Sequence, residues 1–269
     1  MKNLKKTLSL ILAFSMVTSV FQVTALASEG TEVTSMEDIN NQLAKQTESG
    51  EFRVIEGDVC VTGCVLVKDG KSYVLSEEEY LKNKSNVQEE CVNETGKSVQ
   101  NENNSARSIT REFNPSRKTV KYDESKVGRV TAIYDTANLA NVSVTDVYTF
   151  TRTHSTSQGV TLSATDLDVI DTEVSATYTL SKSASSSRST SVTGTFNPSG
   201  NYKYMAVVFI PRLATVKGTY KVYGNIMGSA EIGSYDCTLV YPVSNNKILD
   251  GEYRVYEANT KSSFPELAP

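Results

Sequence analysis

The only histidine in the chain, His154, is the first residue to consider for catalysis. A hydrolase site of the Ser-His-Asp type needs an imidazole as its general base. His154 lies in the middle of a segment rich in Ser and Thr, with Arg152 close by, so a neighbouring serine is expected from composition alone. The sequence therefore predicts that this protein is not an enzyme.

A group of carboxylates is the next candidate for chemistry, because carboxylate oxygens bind Ca²⁺. These residues are Asp166, Asp168, Asp171 and Glu173. Their spacing does not match a known calcium loop, which favours a solvated, charged turn. We expect neither a metal nor another cofactor.

The four cysteines allow three full disulfide pairings, which the sequence does not rank. They are Cys60, Cys64, Cys91 and Cys237. The short spacing between the first two is a poor zinc pattern, because no histidine or second close cysteine pair lies nearby. Structural disulfides and free thiols both remain open.

Hydroxyl side chains occupy alternate positions over two long segments. In residues 174–196 every odd-numbered position is Ser or Thr, and in residues 143–165 ten of twelve are. Because side chains alternate between the two faces of a strand, each segment would present one hydroxylated face. A flexible Ser-rich linker would not keep this alternation. The pattern predicts two long strands, over residues 142–165 and 173–196.

These two strands predict an antiparallel hairpin with its turn near residues 166–173. The two hydroxylated faces coincide only if the numbers of paired residues have an even sum, and a register centred on Val169 or Ile170 meets that condition. The hydroxylated face is unsuited to a dry core, because each buried hydroxyl needs a hydrogen-bond partner. The opposite face is apolar near the turn.

Such a hairpin is compatible with insertion into a membrane and with exposure to water on both faces. A membrane strand needs about 9–11 residues, apolar towards lipid and polar towards a lumen, and residues 160–168 and 172–180 approach that length. The residues expected to contact lipid are Val160, Leu162, Ala164, Leu167, Val169, Ile170, Val174, Ala176, Tyr178 and Leu180. The residues expected to line the lumen are Thr161, Ser163, Thr165, Ser175, Thr177, Thr179 and Ser181. A solvated ribbon in an adhesin or stalk is the alternative.

The residues after the second hydroxyl-rich strand resemble a region of the aerolysin-like β-pore-forming proteins, especially the epsilon-toxin and mosquitocidal-toxin branch. In that family a Ser/Thr-alternating strand ends in a Pro-x-Gly turn. A strand bearing Tyr-Lys follows, and then a strand of the form V-x-G-x-Y-x-x-Y-G. Here Pro198–Gly200, Tyr202 with Lys203, and Val216–Gly224 occupy those places. The resemblance covers about residues 113–243.

This resemblance implies a protein that is secreted in soluble form and then assembles into a ring on a membrane. Each protomer would contribute its hairpin, by position Gly159–Leu180, to a transmembrane barrel. Ring closure satisfies the backbone hydrogen bonds in lipid. The expected partners are a target-cell membrane, an unknown receptor and further copies of this chain. The alternative is a non-pore-forming extracellular adhesion or binding protein on an elongated β scaffold. Scattered basic residues argue against nucleic-acid binding.

The first 27 residues are typical of a signal peptide. Lys2, Lys5 and Lys6 precede a mostly apolar stretch, and residues 25–27 supply the small-x-small pattern that a signal peptidase recognises. We expect cleavage after Ala27 and secretion to the extracellular space.

The predicted fold is mainly β: an elongated, antiparallel, aerolysin-like sheet with long Ser/Thr-rich strands, plus a small N-terminal α+β segment. That segment covers residues 28–82, where Ser76 and Glu79 form a capping-box pattern. The elongated β domain covers residues 113–258 and contains the hairpin 142–196. We expect residues 259–269 to form a flexible tail.

Residues 83–112 predict a disordered linker, because they contain few large apolar residues and many Asn, Glu and Ser. Arg107 and Arg111 lie in this stretch, where a protease could cut. The acidic N-terminal part would then be a pro-region. A tethered accessory domain that binds a receptor or the cell wall is the alternative, and the sequence leaves both open.

Overall fold

A computed structural model describes residues 31–33, 41–42, 46, 50–91, 100–101, 109–144, 148–178, 188–190, 194–225, 229–245 and 248–265. Within these residues the chain is mainly β, as predicted, and the sheets are almost entirely antiparallel. The strands are β1 (Thr31–Val33), β2 (Val54–Glu56), β3 (Val59–Lys68), β4 (Lys71–Val74), β5 (Gln88–Cys91), β6 (Gln100–Asn101), β7 (Ile109–Tyr122), β8 (Gly128–Arg129), β9 (Tyr134–Asp135), β10 (Val142–Val144), β11 (Tyr148–Phe150), β12 (Thr153–Thr156), β13 (Arg188–Thr190), β14 (Gly194–Phe196), β15 (Tyr204–Asn225), β16 (Ser229–Pro242), β17 (Ser244–Asn245), β18 (Ile248–Leu249) and β19 (Gly251–Ala258). The helices are α1 (Glu77–Ser85) and α2 (Ala164–Tyr178).

Strand β15, with 22 residues, connects two parts of the main sheet. At about 3.3 Å per residue its contour length is about 70 Å. Residues 204–211 pair with β19, and together with β3 these strands form what we call the proximal half-sheet. Residues 213–224 pair with β16 on one side and β7 on the other, and these strands form the distal half-sheet.

The proximal half-sheet is buried on both faces. Every residue of β19 is buried, as are nine of the ten residues of β3. Helix α1 covers one face through Tyr80, whose ring centroid lies 5.5 Å from that of Phe52. The predicted capping box between Ser76 and Glu79 is confirmed at the start of α1.

The N-terminal segment contributes strands to this same sheet. Strand β3 lies between β4 and β19, so residues 59–74 are continuous with the C-terminal strand through backbone hydrogen bonds. Both sequence interpretations, a pro-region and an accessory domain, treated this segment as a unit apart. The structure instead makes it part of the sheet, because the pairing joins residues that are far apart in the chain.

The predicted hairpin register is confirmed in the outer part of the hairpin. Val142 pairs with Phe196 in β10 and β14, and Tyr148 pairs with Thr190 in β11 and β13. The paired numbers sum to 338 in both cases, so the register is centred on Val169. Val142 and Phe196 also help to cover the second face of the proximal half-sheet.

The prediction of two continuous strands is wrong closer to the turn. Strand β12 pairs with β16 instead of continuing the hairpin, and residues 164–178 form helix α2. The buried side chains of this segment follow a 3.6-residue period better than strict alternation, which fits a helix and not a strand. Those buried residues are Val169, Ile170, Glu173, Val174 and Tyr178.

Two segments predicted to be flexible are structured in part. The linker prediction is wrong for Gln88–Cys91, which pairs with β7, and for the first residues of β7 itself. Backbone pairing satisfies polar groups without large apolar side chains, so composition alone did not reveal these strands. In the predicted tail, Lys261–Ser263 form a 3₁₀ turn and Phe264 is buried.

Replacing Gly218 by alanine should destabilise the distal half-sheet. A Cβ atom there would lie 2.5 Å from both the backbone oxygen of Asn114 and the ring of Phe113. We expect a loss of about 1–3 kcal/mol in the free energy of unfolding, measured by urea denaturation. Gly224→Ala on the same strand is the control, because its Cβ would meet only the exposed side chain of Ile232, at 3.3 Å. Equal losses in both variants would contradict this packing.

Candidate functional site

Helix α2 packs on one face of the distal half-sheet, and this contact is the candidate functional site. Apolar side chains of the helix and the sheet form one buried cluster. The helical side contributes Leu162, Val169, Ile170, Val174 and Tyr178, and the sheet contributes Phe113, Val120, Ala214, Val216, Tyr220, Leu239 and Tyr241. The sheet therefore removes from water about half of the residues that the sequence predicts to contact lipid.

Asp166, in the first turn of α2, fixes the helix to the sheet. It accepts hydrogen bonds from Nε of Arg111 on β7, at 3.0 Å, and from the hydroxyl of Tyr220 on β15. Ser163 also donates to it from its backbone nitrogen at 2.8 Å, while the amide of Asp166 donates to the hydroxyl of Ser163 at 3.3 Å. This reciprocal pair is a capping box, so one carboxylate both starts the helix and holds it on the sheet.

The environment of Asp166 favours its charged form. Partial burial alone would raise the pKa of this carboxyl group. The hydrogen bonds from Ser163, Tyr220 and Arg111 outweigh that effect, so the pKa of Asp166 lies below its ordinary value.

Asp171 provides a second contact one and a half turns further along α2. Its carboxylate forms an ion pair with Arg152 and accepts a hydrogen bond from the hydroxyl of Tyr241, at 2.9 Å. Arg152 lies just before edge strand β12, and Tyr241 lies on β16. The contact therefore joins the helix both to the sheet and to the chain that leads into it.

The structure brings the predicted lipid-contacting residues together and buries about half of them. Leu162, Val169, Ile170, Val174 and Tyr178 are buried, Leu167 is half-buried, and Val160, Ala164 and Ala176 are exposed. Of the predicted lumen residues, Thr161, Ser163 and Thr165 are exposed, and Ser175 and Thr177 are half-buried. Leu180, Thr179 and Ser181 lie outside the described residues. The segment is thus amphipathic in its helical form as well.

The other predicted residues are dispersed. Arg111, a predicted processing residue, lies within β7 with its side chain on Asp166, not in an open loop. Ala27 and Arg107 lie outside the described residues. His154 is exposed on β12, opposite Leu239.

The prediction of a solvated, charged turn is wrong, because these carboxylates lie on helix α2, and they do not converge on a common point. Asp166 and Asp171 bind different residues of the sheet, and Asp168 is exposed. Within the described ranges, no three His, Cys, Asp or Glu side chains are placed to hold a metal ion. Cys60, Cys64 and Cys237 are buried free thiols.

Sequence reasoning misses a buried ionic cluster beneath α1. The guanidinium of Arg254 is fully buried, with Nη1 2.9 Å from Glu124 and 3.5 Å from Glu56, and Nη2 2.8 Å from Glu252. It also lies 4.9 Å from the ring centroid of Tyr80. Burial raises the pKa of Glu252. No spacing in the sequence connects these residues, because α1, β2 and β19 meet only in the folded chain.

Comparisons with known proteins find no counterpart: no family model, curated protein or solved structure matches this chain. The described part of the chain also has no helix of sufficient length and apolarity to cross a membrane.

Replacing Asp166 by asparagine should loosen α2 on the sheet. The change removes the charge that faces Arg111 and weakens the capping box, at a cost of about 1–3 kcal/mol. Hydrogen–deuterium exchange of the amides in residues 164–178 should become faster. Asp168→Asn is the matched control, because that exposed side chain lies in the same turn. Equal acceleration in both variants would show that the contacts of Asp166 do not hold the helix.

The stabilisation by Asp166 should depend on pH in a defined window. Because its pKa is lowered in the folded protein, its contribution is complete above the unfolded pKa of about 3.9 and is lost as pH falls through the lower folded value. The difference in unfolding free energy between wild type and Asp166→Asn should stay constant from about pH 5 to pH 8 and shrink below about pH 4. A difference that shrinks already between pH 7 and pH 5 would contradict this.

Proposed function

We propose that this is a secreted, aerolysin-like pore-forming protein in which helix α2 leaves the distal half-sheet and the segment 160–180 enters a target membrane as a β-hairpin. Several copies would assemble on that membrane, each supplying one hairpin to a closed ring of strands. The proposed partners are the membrane, an unidentified receptor on it and further copies of the chain. The signal-peptide pattern of residues 1–27 supports export.

The observation that carries the proposal is the register of the outer hairpin. Pairs whose numbers sum to 338 are present at β10–β14 and β11–β13. If the same register continued towards Val169, it would pair Val160 with Tyr178, Leu162 with Ala176, and Ala164 with Val174. The intervening pairs would be Thr161 with Thr177 and Ser163 with Ser175. One face of the extended hairpin would thus be apolar and the other hydroxylated.

The composition of α2 also supports a change to strand. Six of its 15 residues are β-branched, from Thr165 to Thr177. Such residues lose side-chain freedom in a helix and fit well in a sheet. An isolated helix of this length is marginal in water even with better helix formers. The helix therefore depends on its contact with the distal half-sheet, and separation from the sheet favours the extended form.

Insertion would exchange one apolar environment for another. Each large apolar side chain of the segment gains about 1.5–3 kcal/mol from burial, whether the sheet or lipid covers it. The hydroxyl groups would face the water of the pore, where they keep their hydrogen bonds. Backbone groups would be satisfied only between strands of a closed ring, so insertion requires assembly.

Two neighbouring lysine substitutions test which face of the segment meets lipid. Ala176 is exposed and Thr177 half-buried in the folded protein, close to the carboxyl end of α2 where cations are tolerated. In the inserted hairpin, residue 176 would face lipid and residue 177 the lumen. We expect Ala176→Lys to abolish dye release from liposomes, because a lysine near the bilayer midplane costs about 2–4 kcal/mol per protomer. Thr177→Lys should retain release.

Equal activity of the two variants would contradict a hairpin with this alternation. The wild-type protein should release dye and form heat-stable oligomers, and mild trypsin treatment tests whether cleavage is needed. If neither the intact nor the cleaved protein does so on any membrane tested, the pore-forming function is wrong. The alternative of an extracellular binding or adhesion protein would then apply.

A further inference from the structure

Strand β12 covers one short stretch of an otherwise open strand edge. Strand β16 pairs with β15 along one side, but on its other side only Cys237–Val240 are paired, with Thr153–Thr156 of β12. Ser157 extends this contact by one hydrogen bond, from its backbone nitrogen to the backbone oxygen of Asp236 at 2.9 Å. In the described ranges no other strand pairs with this side of β16.

The uncovered part of the β16 edge carries features that oppose pairing with another strand. Ile232 is an extra residue opposite the step from Val222 to Tyr223, so the strand has a bulge there. Glu231 and Asp236 add two exposed negative charges. Bulges and charges are the usual means by which proteins prevent an edge strand from pairing with another chain. This part of the edge is therefore protected by its own sequence.

The stretch beneath β12 has no such protection. Residues 237–240 are uncharged, pair regularly with β15 and include the β-branched residues Thr238 and Val240. Removal of β12 would leave their outward backbone groups without partners. A regular, uncharged edge of this kind readily accepts another strand.

Few interactions hold β12 in this position. The side chains of its first three residues are exposed, so its detachment uncovers little apolar surface. Two contacts connect it to the segment of α2: the ion pair of Arg152 with Asp171, and the hydrogen bond from the hydroxyl of Thr156 to the backbone oxygen of Val160, at 2.9 Å. Loss of the α2 contact would therefore leave β12 attached by its short strand pairing alone.

The hydrogen-bonding pattern shows which groups of β16 become free. Ser157 and Asp236 lie opposite each other and are hydrogen-bonded. Hydrogen-bonded pairs alternate with non-hydrogen-bonded pairs along an antiparallel ladder, so Thr238 and Val240 also direct their backbone groups towards β12.

These groups fit the same edge of a second copy of the chain. In an antiparallel pairing centred on Thr238, that residue lies opposite its own copy, and Asp236 lies opposite Val240 of the second copy. No acidic side chain then faces another. The paired numbers have an even sum, so Cys237 and Leu239 of both copies stay on one face of the joined sheet. The pairing has two-fold symmetry, the commonest symmetry of protein dimers.

We infer that β12 is a removable cap, and that the β16 edge pairs with the same edge of a second copy once β12 has left. The contact between β12 and β16 is thus autoinhibitory, because it occupies the dimer interface within each copy. The inference does not rest on the proposed function, since this pairing needs no membrane and no inserted hairpin.

A proline in β12 tests whether the cap prevents dimerisation. Ser155 lies opposite Thr238 in a hydrogen-bonded pair, so Ser155→Pro removes a bond of the cap. His154→Pro is the matched control, because the backbone N–H of His154 points away from β16. Sedimentation velocity over a range of concentrations should give a monomer for wild type and His154→Pro, and a dimer for Ser155→Pro. A monomeric Ser155→Pro variant that retains its β-sheet spectrum overturns the inference.

Substitutions of Thr238 in the Ser155→Pro protein test where the two copies meet. At the two-fold axis the Cα atoms of the two residues would lie about 5.5 Å apart, within the range for a disulfide. Thr238→Cys should therefore give a covalent dimer on oxidation. Thr238→Lys places two lysines opposite each other and should raise the dimer Kd at least about tenfold. Ser234→Lys, an exposed position nearer the bulge, should leave Kd unchanged.

A dimer that neither cross-links through residue 238 nor weakens in Thr238→Lys overturns the inference, because another surface or an exchanged β12 would then join the copies.

A reversible lock replaces the proline if Ser155→Pro does not fold. Thr156 lies opposite Cys237 in a non-hydrogen-bonded pair, with Cα atoms about 4.5 Å apart, so Thr156→Cys should form a disulfide with Cys237. This change is combined with Arg152→Gln, which removes the ion pair to Asp171. The double variant should be monomeric when oxidised and dimeric when reduced. A state of association that does not change on reduction overturns the inference.

Discussion

The contact between α2 and the distal half-sheet is the interaction on which the state of this molecule depends. It covers apolar residues of both the helix and the sheet, which would otherwise face water. Two carboxylates, Asp166 and Asp171, set where the helix lies by binding residues on β7, β16 and the chain before β12. The same contact keeps a segment rich in β-branched residues helical, because the isolated helix has little stability.

Hydrophobic burial does not by itself decide between the docked helix and an inserted hairpin. The large apolar side chains of α2 are buried against the sheet, and in the proposed hairpin they would be buried in lipid at a similar gain for each. The free-energy difference between the docked helix and the proposed hairpin depends on the interactions that only one of them makes. The docked helix has the carboxylate contacts and the helical hydrogen bonds, and the proposed hairpin has the strand pairing of a closed ring. Under the proposed function, a membrane-bound ring would be needed to favour the hairpin, and an isolated copy would keep the helix.

Local patterns in the sequence predict part of this arrangement. Hydroxyl alternation predicts the outer hairpin and its register centred on Val169, because pairing follows side-chain parity. The helix was predictable in principle from Ser163 and Asp166, which form the same capping pattern as Ser76 and Glu79. Val, Thr and Ser in this segment also satisfy a two-residue period, which favours the prediction of a strand.

Long-range pairing could not be predicted in this way. Strand β3 joins β19, and Arg254 meets Glu56 and Glu124, only when distant parts of the chain come together. Composition along a single segment carries no information on such contacts.

The central claim is that residues 164–178 change from helix to hairpin on a membrane. Spin labels at the exposed positions Ala164 and Ala176 measure this directly, in protein diluted with unlabelled copies. Twelve residues of helix separate their backbones by about 18 Å. In the proposed register they become diagonal neighbours at about 7–8 Å. We predict strong dipolar broadening of the EPR spectrum on liposomes that release dye. An unchanged spectrum on those liposomes would contradict the account.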